Sequence, residues 1–224
     1  PLNPEVIKVW QEATRKTIHE GYGQTETTVL VGNYPFMAVK PGSMGRPVPD
    51  LDIDILDEDH KPVHTGEVGF ICVKADQQRP VGIFEEYLEN PDENSAVFQY
   101  GWYNTGDKAY RDEDGYYTFI GRGDDIIKAS GYRIGPGEVE SVIQEHPAVA
   151  ENAVVASPDL VRGEIVKAFI VLAPGYKKSD KLIEDIQDFV KKRTAPYKYP
   201  REIEFMDELP KTSSGKIKRG VLRT

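Results

Sequence analysis

Four glycine-rich polar segments combine hydroxyl, carboxylate and cationic side chains at close spacing. The first, Glu20 to Glu26, puts an aromatic ring, hydroxyls and two carboxylates into one short loop. A hydroxyl can bond a phosphate oxygen, and a nearby carboxylate can hold the Mg²⁺ that accompanies the phosphate. The second, Tyr103 to Asp107, places an aspartate on a tight glycine turn, where it can accept both hydroxyls of a ribose. Each segment alone is also typical of an ordinary polar turn.

The other two segments are basic. The third, Gly121 to Gly135, holds three cations and four glycines in fifteen residues, which is unusual for a plain hairpin. The fourth, Pro210 to Arg219, contains Ser-Gly-Lys ending at Lys216. A Walker phosphate loop would need glycine where Pro210 stands, so the sequence predicts a mobile basic loop instead.

The elements that must position these segments follow two patterns along the chain. The first part begins with an amphipathic helix over 4–17 and continues with a glycine- and proline-rich stretch over 22–49, followed by separate strands. The second part reads helix, strand, strand, helix, strand, which suits a small α+β domain rather than a doubly wound parallel sheet. The expected elements are strands at 51–55, 67–74, 116–121 and 126–128, a helix at 136–146, strands at 149–156 and 165–172, a helix capped by Ser179, and a strand near 202–206.

Length and composition narrow the class of protein. With 224 residues and 39% hydrophobic residues, the chain can form one large domain or two unequal ones with a real core. Its net charge of −9 argues against a general nucleic-acid binder, although Lys and Arg outnumber Asp and Glu within 176–224. No run approaches the roughly 18 apolar residues of a membrane span. The single cysteine, Cys72, excludes an internal disulfide and suits a reducing compartment.

In this order, the four segments resemble the signatures of the adenylate-forming, or AMP-binding, enzymes. These are Tyr-Gly-Gln-Thr-Glu, Thr-Gly-Asp, Gly-Arg-x-Asp-Asp-x-Ile-Lys and Pro-Lys-Thr-x-Ser-Gly-Lys. The superfamily includes acyl-CoA synthetases, luciferases and the adenylation domains of peptide synthetases. The chain is most similar to AMP-forming acyl-CoA synthetases of the medium-chain type, through the stretches 130–136, 161–164 and 194–201.

The resemblance implies an α+β fold with two parts. Residues 1–121 would form the β-rich, distorted-barrel end of the large adenylating domain, and 122–125 would be a hinge. Residues 126–224 would form the small C-terminal lid domain with an antiparallel sheet. Family members carry a phosphate loop upstream of the Tyr-Gly-Gln-Thr-Glu segment, and the 21 residues before Tyr22 contain none. We therefore expect the chain to be a C-terminal part that is inactive without the missing N-terminal part.

The resemblance also implies the substrates ATP, CoA and a carboxylic (fatty) acid, with Mg²⁺ as the metal. Asp124 would be the hinge residue about which the lid domain rotates. The implied site residues fall into three groups. Catalytic roles fall on Lys216, Thr25 and Glu26, with Glu26 as metal ligand; nucleotide contacts fall on Gly21, Tyr22, Gly23, Gln24, Thr25, Asp107, Arg122, Arg133 and Lys216; CoA contacts fall on Ser130, Gly131, Tyr132, Arg162, Tyr199, Pro200 and Arg201.

Individual roles carry over in the same way. Tyr22 would stack on adenine, Thr25 would contact the α-phosphate, and Asp107 would hold the ribose with help from Arg122. Lys216 would stabilise the charge that builds up during adenylation. A lysine acyltransferase and a deacylase acting on that exposed lysine are expected partners. Acetate-specific relatives carry tryptophan at the position of Gly23, so glycine there implies room for a longer or branched acid.

Two alternatives remain open at this stage. Another branch of the superfamily, such as an aryl-CoA ligase or a peptide-synthetase adenylation domain, would share the four segments. A non-catalytic nucleotide-binding module would share them without the reaction. Arg162 and the Tyr-Lys-Tyr-Pro-Arg stretch ending at Arg201 favour free CoA over a carrier protein. The expected location is cytoplasmic, or the mitochondrial matrix in a eukaryote.

Overall fold

A computed structural model describes residues 4–76 and 79–223. The chain forms two compact units that divide between Gly123 and Asp124. This division lies inside the segment 122–125 that the sequence predicts to be a hinge. Rotation about it remains a prediction.

The first unit is built mainly from two antiparallel sheets. A three-stranded sheet has the order β1-β2-β3, and a larger one has the order β4-β5-β7-β6, with β8 also paired to β7. The elements are α1 (Pro4–Thr14), β1 (Gly21–Gly23), β2 (Val29–Gly32), β3 (Arg46–Pro47), β4 (Ile53–Leu56), β5 (Gly69–Lys74), α2 (Pro91–Val97), β6 (Phe98–Gln99), β7 (Trp102–Arg111) and β8 (Tyr117–Arg122).

The two sheets of the first unit share one hydrophobic core. Leu30 and Val31 from β2 pack with Ile55, Ile71 and Tyr117 from the larger sheet. A single bridge links the sheets, because Met44 N donates to Tyr117 O at 2.8 Å and Tyr117 N donates to Gly45 O at 2.8 Å. Within the described residues neither sheet closes on itself, so the expected distorted barrel is here a pair of open, joined sheets.

The second unit contains a mixed sheet covered by helices. Its strands have the order β10-β9-β12-β11, and β13 pairs with β12. Helix α3 begins with a proline at N1 and α4 is capped by Ser179 Oγ, which accepts from Leu182 N at 3.2 Å. The elements are β9 (Ile127–Ala129), β10 (Tyr132–Ile134), α3 (Pro136–Gln144), β11 (Val149–Asp159), β12 (Gly163–Leu172), α4 (Asp180–Arg193), β13 (Glu202–Met206) and α5 (Arg219–Leu222).

Alternate side chains of the central strands β11 and β12 enter two separate cores. On one face, Ile170 packs with Ile143 of α3 and Ile186 of α4. On the other face, Leu209 and Leu222 of the C-terminal segment cover the sheet. The segment after β13 is therefore an integral layer of this unit rather than a tail.

The predicted α+β class is confirmed, and the sheets are antiparallel with one exception. Strand β13 runs parallel to β12 because α4 carries the chain back across the sheet between them. No helix within the described ranges is long and apolar enough to cross a membrane.

Candidate functional site

A bulge in β7 presents Asp107. Asn104 pairs with Cys72 and Lys108 pairs with Phe70, so three residues of β7 stand opposite the single Ile71 of β5. Gly106, within the bulge, has φ +73°, a conformation that glycine adopts without strain. Thr105 Oγ1 donates to Ile71 O at 2.8 Å and accepts from Asp107 N at 3.2 Å, which fixes the bulge. Such bulges re-aim side chains, and this one re-aims a carboxylate.

The Asp107 carboxylate is 5% exposed and lies against the loop that begins at Glu20. Its Oδ2 accepts from Tyr22 Oη at 2.6 Å and from Gln24 Nε2 at 2.7 Å. Its Oδ1 lies 3.8 Å from Nε of Arg122, the residue opposite it on β8. Tyr103 Oη donates to Gln24 Oε1 at 2.9 Å and so fixes the amide. Two segments about 80 residues apart in sequence therefore meet at one buried acid.

Burial and the neighbouring Asp107 carboxylate both raise the pKa of Tyr22. The phenol therefore stays protonated and can donate to the carboxylate at neutral pH. Burial likewise raises the pKa of Tyr103. The Asp107 carboxylate is thus surrounded by hydrogen-bond donors whose own protons are retained.

Two cavities border residues of this cluster. The first, about 210 Å³, is lined by Gly21, Tyr22, Met44, Asp107 and Phe119, among others. The Tyr22 and Phe119 rings lie 6.3 Å apart, so the cavity has two aromatic walls. The second, about 170 Å³, has a polar lining that includes Gln24, Glu26, Tyr87, Thr105 and Arg122. The first cavity therefore offers aromatic walls, and the second offers carboxylate, amide, hydroxyl and guanidinium groups.

Gly23 is required by the local backbone. A Cβ at this position would lie 2.3 Å from the Thr28 carbonyl oxygen, a separation that real side chains do not reach. The close approach accompanies the register shift between Tyr22 and Gly23 in the β1–β2 pair. Backbone packing therefore gives a reason of its own for glycine here, and the effect of Gly23 on acid size remains a prediction.

Glu26 has a partner that the sequence did not reveal. Tyr87 Oη donates to Glu26 Oε1 at 2.9 Å, and burial together with this bond raises the pKa of Tyr87 to about 12. Asn94 of α2 fixes the Tyr87 backbone, accepting from its N–H at 2.6 Å and donating to its carbonyl at 2.9 Å. The Thr25 side chain lies exposed in the adjacent turn.

In the second unit, Lys216 lies exposed on a closed turn of the C-terminal segment. Thr212 N donates to Lys216 O at 2.8 Å, and Lys216 N donates to Thr212 Oγ1 at 3.0 Å. Gly215, just before the lysine, has φ +85°. We call residues 210–218 the lysine loop. Its backbone is ordered by its own bonds while its ammonium group faces solvent.

A second cluster in this unit forms where two hairpin turns meet. Ser130 and Gly131 both have positive φ, 50° and 84°, and join β9 to β10. Ser130 N donates to the carbonyl of Arg162 at 3.0 Å, so the β11–β12 turn lies beside this hairpin. Asp159 shapes that turn by accepting from Val161 N at 2.9 Å and Arg162 N at 2.7 Å.

The stretch 194–201 reaches the same hairpin through aromatic stacking. The rings of Tyr132 and Tyr197 are stacked, with centroids 3.9 Å apart and planes at 10°. Tyr199 Oη accepts from Arg201 Nη1 at 2.9 Å, and Lys191 Nζ lies 4.5 Å from the Tyr199 ring centre. Pro200 is buried beside them. The surface around the hairpin is therefore aromatic and cationic.

Comparisons with known proteins find family matches in both units. The AMP-binding enzyme family matches residues 1–88, and the AMP-binding enzyme C-terminal domain matches residues 138–216. The chain belongs to the AMP-binding enzyme family.

Named relatives of this AMP-binding chain include CoA ligases. It is 54% identical over its whole length to acyl-coenzyme A synthetase ACSM3, mitochondrial, of Mus musculus, and 57% identical to 4-hydroxybutyrate–CoA ligase 1 of Metallosphaera sedula. It spans 39% of the length of each relative. Among solved structures, the anthranilate CoA ligase AuaEII in complex with anthranoyl-AMP superposes with a TM-score of 0.87 at 40% identity, over 99% of this chain and 42% of that one.

The structure brings the predicted site residues together in two sets. Gly21, Tyr22, Gly23, Gln24, Asp107 and Arg122 meet in the first unit, with Thr25 and Glu26 next to them. Ser130, Gly131, Tyr132 and Arg162 meet in the second, with Tyr199, Pro200 and Arg201 on the adjoining stretch. Lys216 and Arg133 belong to the second unit, so their approach to Asp107 stays a prediction.

Sequence reasoning assigned no role to Tyr87, Tyr103 or Thr105, which orient the first set. Tyr103 and Thr105 lie within the glycine-rich segment that ends at Asp107, and their spacing of two residues, which places all three at buried positions of β7, was an available signal. Tyr87 offered no comparable signal, because it is 61 residues from Glu26.

Proposed function

We propose that this chain serves an AMP-forming acyl-CoA synthetase, an acid–thiol ligase. The enzyme activates a carboxylic acid with ATP to acyl-AMP and then transfers the acyl group to CoA. One observation carries the proposal: the buried Asp107 carboxylate lines an aromatic-walled cavity and is bonded to the family's Tyr-Gly-Gln-Thr-Glu loop, whose Gln24 and Glu26 line a polar cavity. The names of the CoA ligases that match the whole chain support it.

The first unit would bind the nucleotide. Asp107 would accept the ribose hydroxyls, and Arg122 would lie on the phosphate side. Tyr22 would stack on adenine in the aromatic cavity, since its hydroxyl is bonded to Asp107 while its ring lines the wall. Gly21, Gly23 and Gln24 would form the edge of this site, and Thr25 would contact the α-phosphate.

Glu26 fits the metal that accompanies ATP. Mg²⁺ typically takes one or two carboxylates together with substrate phosphates and water, and Glu26 lines the polar cavity. The Tyr87 bond would hold one carboxylate oxygen of Glu26 in place. The metal would neutralise charge on the phosphates.

The second unit would supply the lysine and the CoA surface. A carboxylate oxygen of the acid attacks the α-phosphorus, the bond to pyrophosphate breaks, and Lys216 stabilises the negative charge. In the second step the CoA thiol attacks the acyl carbon, loses its proton, and AMP leaves. The hairpin at Ser130, Gly131 and Tyr132 would line the path of the pantetheine.

Other cations would contact charged parts of the substrates. Arg162 and the surface of Tyr199, Pro200 and Arg201 would meet the CoA nucleotide, where cationic and aromatic groups suit phosphates and a base. Arg133, next to Tyr132 on β10, would approach the phosphates or the acid.

Two arrangements of the second unit would be needed, one for each step. Residues 122–125 would be the hinge, with Asp124 as its pivot, between a portion of the large domain over 1–121 and a lid over 126–224. We further propose a cytoplasmic location, or the mitochondrial matrix in a eukaryote, as for the mitochondrial relatives. Lysine acyltransferases and deacylases acting on Lys216 would regulate the first step.

An aryl acid is the second candidate substrate. It is favoured by the similarity to the anthranilate CoA ligase structure, which covers 99% of the chain. Because Gly23 is fixed by the backbone, it does not distinguish the two classes. ATP–pyrophosphate exchange with a series of aliphatic and aromatic acids would separate them.

Separate assays of the two half-reactions test the proposed function. In a full-length protein carrying these 224 residues, Lys216→Ala should lower acyl-AMP formation about 10²-fold or more, since one transition-state charge contact is lost. The same variant, given acyl-AMP and CoA, should still form acyl-CoA at a near-normal rate. Gly131→Leu should do the reverse, because a side chain there would obstruct pantetheine.

Leucine at Gly131 also strains a turn with positive φ, so a matched control is needed. Gly175 has φ +92° and open space around it, as Gly131 does, but lies outside both clusters. Gly175→Leu should leave both half-reactions unchanged. Equal losses of both steps in Lys216→Ala and Gly131→Leu would contradict the proposed division of labour.

A further inference from the structure

A cluster of four charged side chains lies at the base of the lysine loop. Asp125 comes from the start of the second unit, Glu140 from α3, Arg219 from the first position of α5, and Arg223 from the residue that follows α5. None of these residues belongs to the substrate-contacting sets described above. The cluster joins three parts of one unit that are distant in sequence.

The central contact joins α5 to α3. Arg219 Nη2 donates to Glu140 Oε1 at 2.9 Å and to Oε2 at 2.8 Å. Glu140 Oε1 also accepts from Val154 N of β11 at 2.8 Å. The Glu140 side chain is only 16% exposed and that of Arg219 28%, so solvent screens the pair less than an ordinary surface ion pair.

The outer contact joins α5 to the start of the unit. Arg223 donates to Asp125 Oδ1, and Arg219 Nη1 lies 4.0 Å from Asp125 Oδ2. Asp125 is 14% exposed. It directly follows Asp124, the proposed pivot. The residue next to the pivot and the helix after the lysine loop are thus bonded to each other.

This cluster adjoins the C-terminal end of the lysine loop. Arg219 is the first residue of α5 and stands three positions after Lys216. Lys218 N donates to Pro210 O at 2.9 Å, which closes the loop at the same point. The loop's other ion pair, Lys211 with Glu151 at 2.6 Å, is more exposed, at 40% and 47%. We expect the exposed pair to contribute little to loop position.

We propose that Arg219 and Glu140, with Asp125 and Arg223, are positioning residues for Lys216. They fix the base of the lysine loop relative to α3 and to the residue next to the pivot. When the second unit rotates, the lysine loop would then move together with the rest of that unit. This inference rests on the proposed function, because it concerns the adenylation step.

Half-reaction assays on the full-length protein test the inference. Arg219→Gln should lower the kcat for acyl-AMP formation about 10- to 100-fold, since misplacing a catalytic group by about 1 Å costs rates of this order. The KM for ATP and the rate of acyl-CoA formation from supplied acyl-AMP should change less than twofold. Arg219→Lys, which keeps the charge, should recover part of the rate.

Hydrogen exchange supplies a readout that does not depend on activity. In Arg219→Gln the amides of Lys216 and Lys218 should exchange faster, while those of α4 keep their rates. Glu151→Gln, which cuts the exposed pair, is the matched control and should leave adenylation and loop exchange unchanged. If Arg219→Gln does not fold, Glu140→Gln takes its place, because it keeps the side-chain shape and the acceptor for Val154.

The outcomes separate this inference from the proposed function. No acyl-AMP formation by the unmodified protein would overturn both. An active unmodified protein together with a twofold or smaller effect of Arg219→Gln would overturn the inference alone. So would an equal loss of both half-reactions with a lowered melting temperature, since that would show a general structural role.

Discussion

At the scale of single residues, Asp107 combines burial with charge. A carboxylate that is 5% exposed needs hydrogen-bond partners, and Tyr22 and Gln24 donate two hydrogen bonds to one of its oxygens. Because the raised pKa of Tyr22 keeps its hydroxyl protonated, the donor persists across neutral pH. In the proposed function, this positioned carboxylate would accept the hydroxyls of the ribose.

Replacing Asp107 should therefore impair ATP use severely. In the full-length protein, Asp107→Ala should lower kcat/KM for ATP by about 10²- to 10⁴-fold, because two hydrogen bonds to a charged group are worth about 1.5–3 kcal/mol each. Initial-rate measurements at varied ATP concentration would test this. Asp114→Ala is the control, since that aspartate is 70% exposed and pairs with Lys40 instead. A loss below threefold in Asp107→Ala would mean that the residue only shapes the turn.

From the sequence alone, the candidate residues of the site were easier to predict than the residues that hold their side chains in place. Asp107, Tyr22 and Gln24 stand in motifs with a recognisable chemistry. Tyr87 contacts Glu26 from a segment that has no helical or strand periodicity in its sequence. The Asn94 side chain holds this segment in place by hydrogen bonds to the Tyr87 backbone. For Gly23, the Thr28 carbonyl gives a reason for glycine beside its predicted effect on acid size.

At the scale of elements, helices and strands were predicted correctly where a capping residue or a run of apolar residues marks them in the sequence. The helix after Ser179 and the strand 202–206 were predicted correctly, because a cap and a short apolar run define them. Strand β7 was not predicted from the sequence, because its bulge at Gly106 interrupts the alternation of apolar and polar residues. The three short strands within 21–47 were also missed, because glycine and proline dominate that stretch. The parallel pairing of β13 depends on the path of α4, which no local pattern encodes.

The β11–β12 turn shows how one carboxylate shapes an element. Asp159 accepts hydrogen bonds from the backbone of Arg162 and Val161, and these bonds lower its pKa below the ordinary 3.8. Since the folded pKa is lowered, the contribution to the turn is complete above the ordinary pKa. It is lost as the pH falls through the lowered value. The turn should therefore be intact at neutral pH and loosen only in acid.

An NMR titration of this chain should make the acid transition visible. The amide signals of Val161 and Arg162 should move together, with a midpoint below pH 3.8. Asp159→Asn keeps an acceptor oxygen and should abolish the titration while preserving the turn. Asp159→Ala should speed hydrogen exchange at Arg162 and at Ser130, whose amide bonds the Arg162 carbonyl. Unchanged exchange in Asp159→Ala would contradict a role for the carboxylate in positioning Arg162.

At the scale of the whole molecule, each unit has a core of its own. In the second unit the sheet is covered on one face by α3 and α4 and on the other by the C-terminal segment. Both layers are complete within 124–224, whereas the family match covers only 138–216. The structure therefore assigns to this unit two pieces that the match omits, the β9–β10 hairpin and α5.

A protein of residues 124–224 should fold by itself, and one of residues 138–216 should not. The shorter protein lacks Ile127 and Ile134, both fully buried, and Leu222, which is 4% exposed. Removing one such side chain costs about 2–5 kcal/mol, so losing three is comparable to the whole stability of a small domain, about 5–15 kcal/mol. It also lacks Asp125, Arg219 and Arg223 from the charged cluster.

We expect only the longer protein to show dispersed amide signals and a cooperative thermal transition. A folded 138–216 protein would show that the β9–β10 hairpin and α5 are dispensable for folding of the second unit, and a disordered 124–224 protein would show that this unit depends on the first.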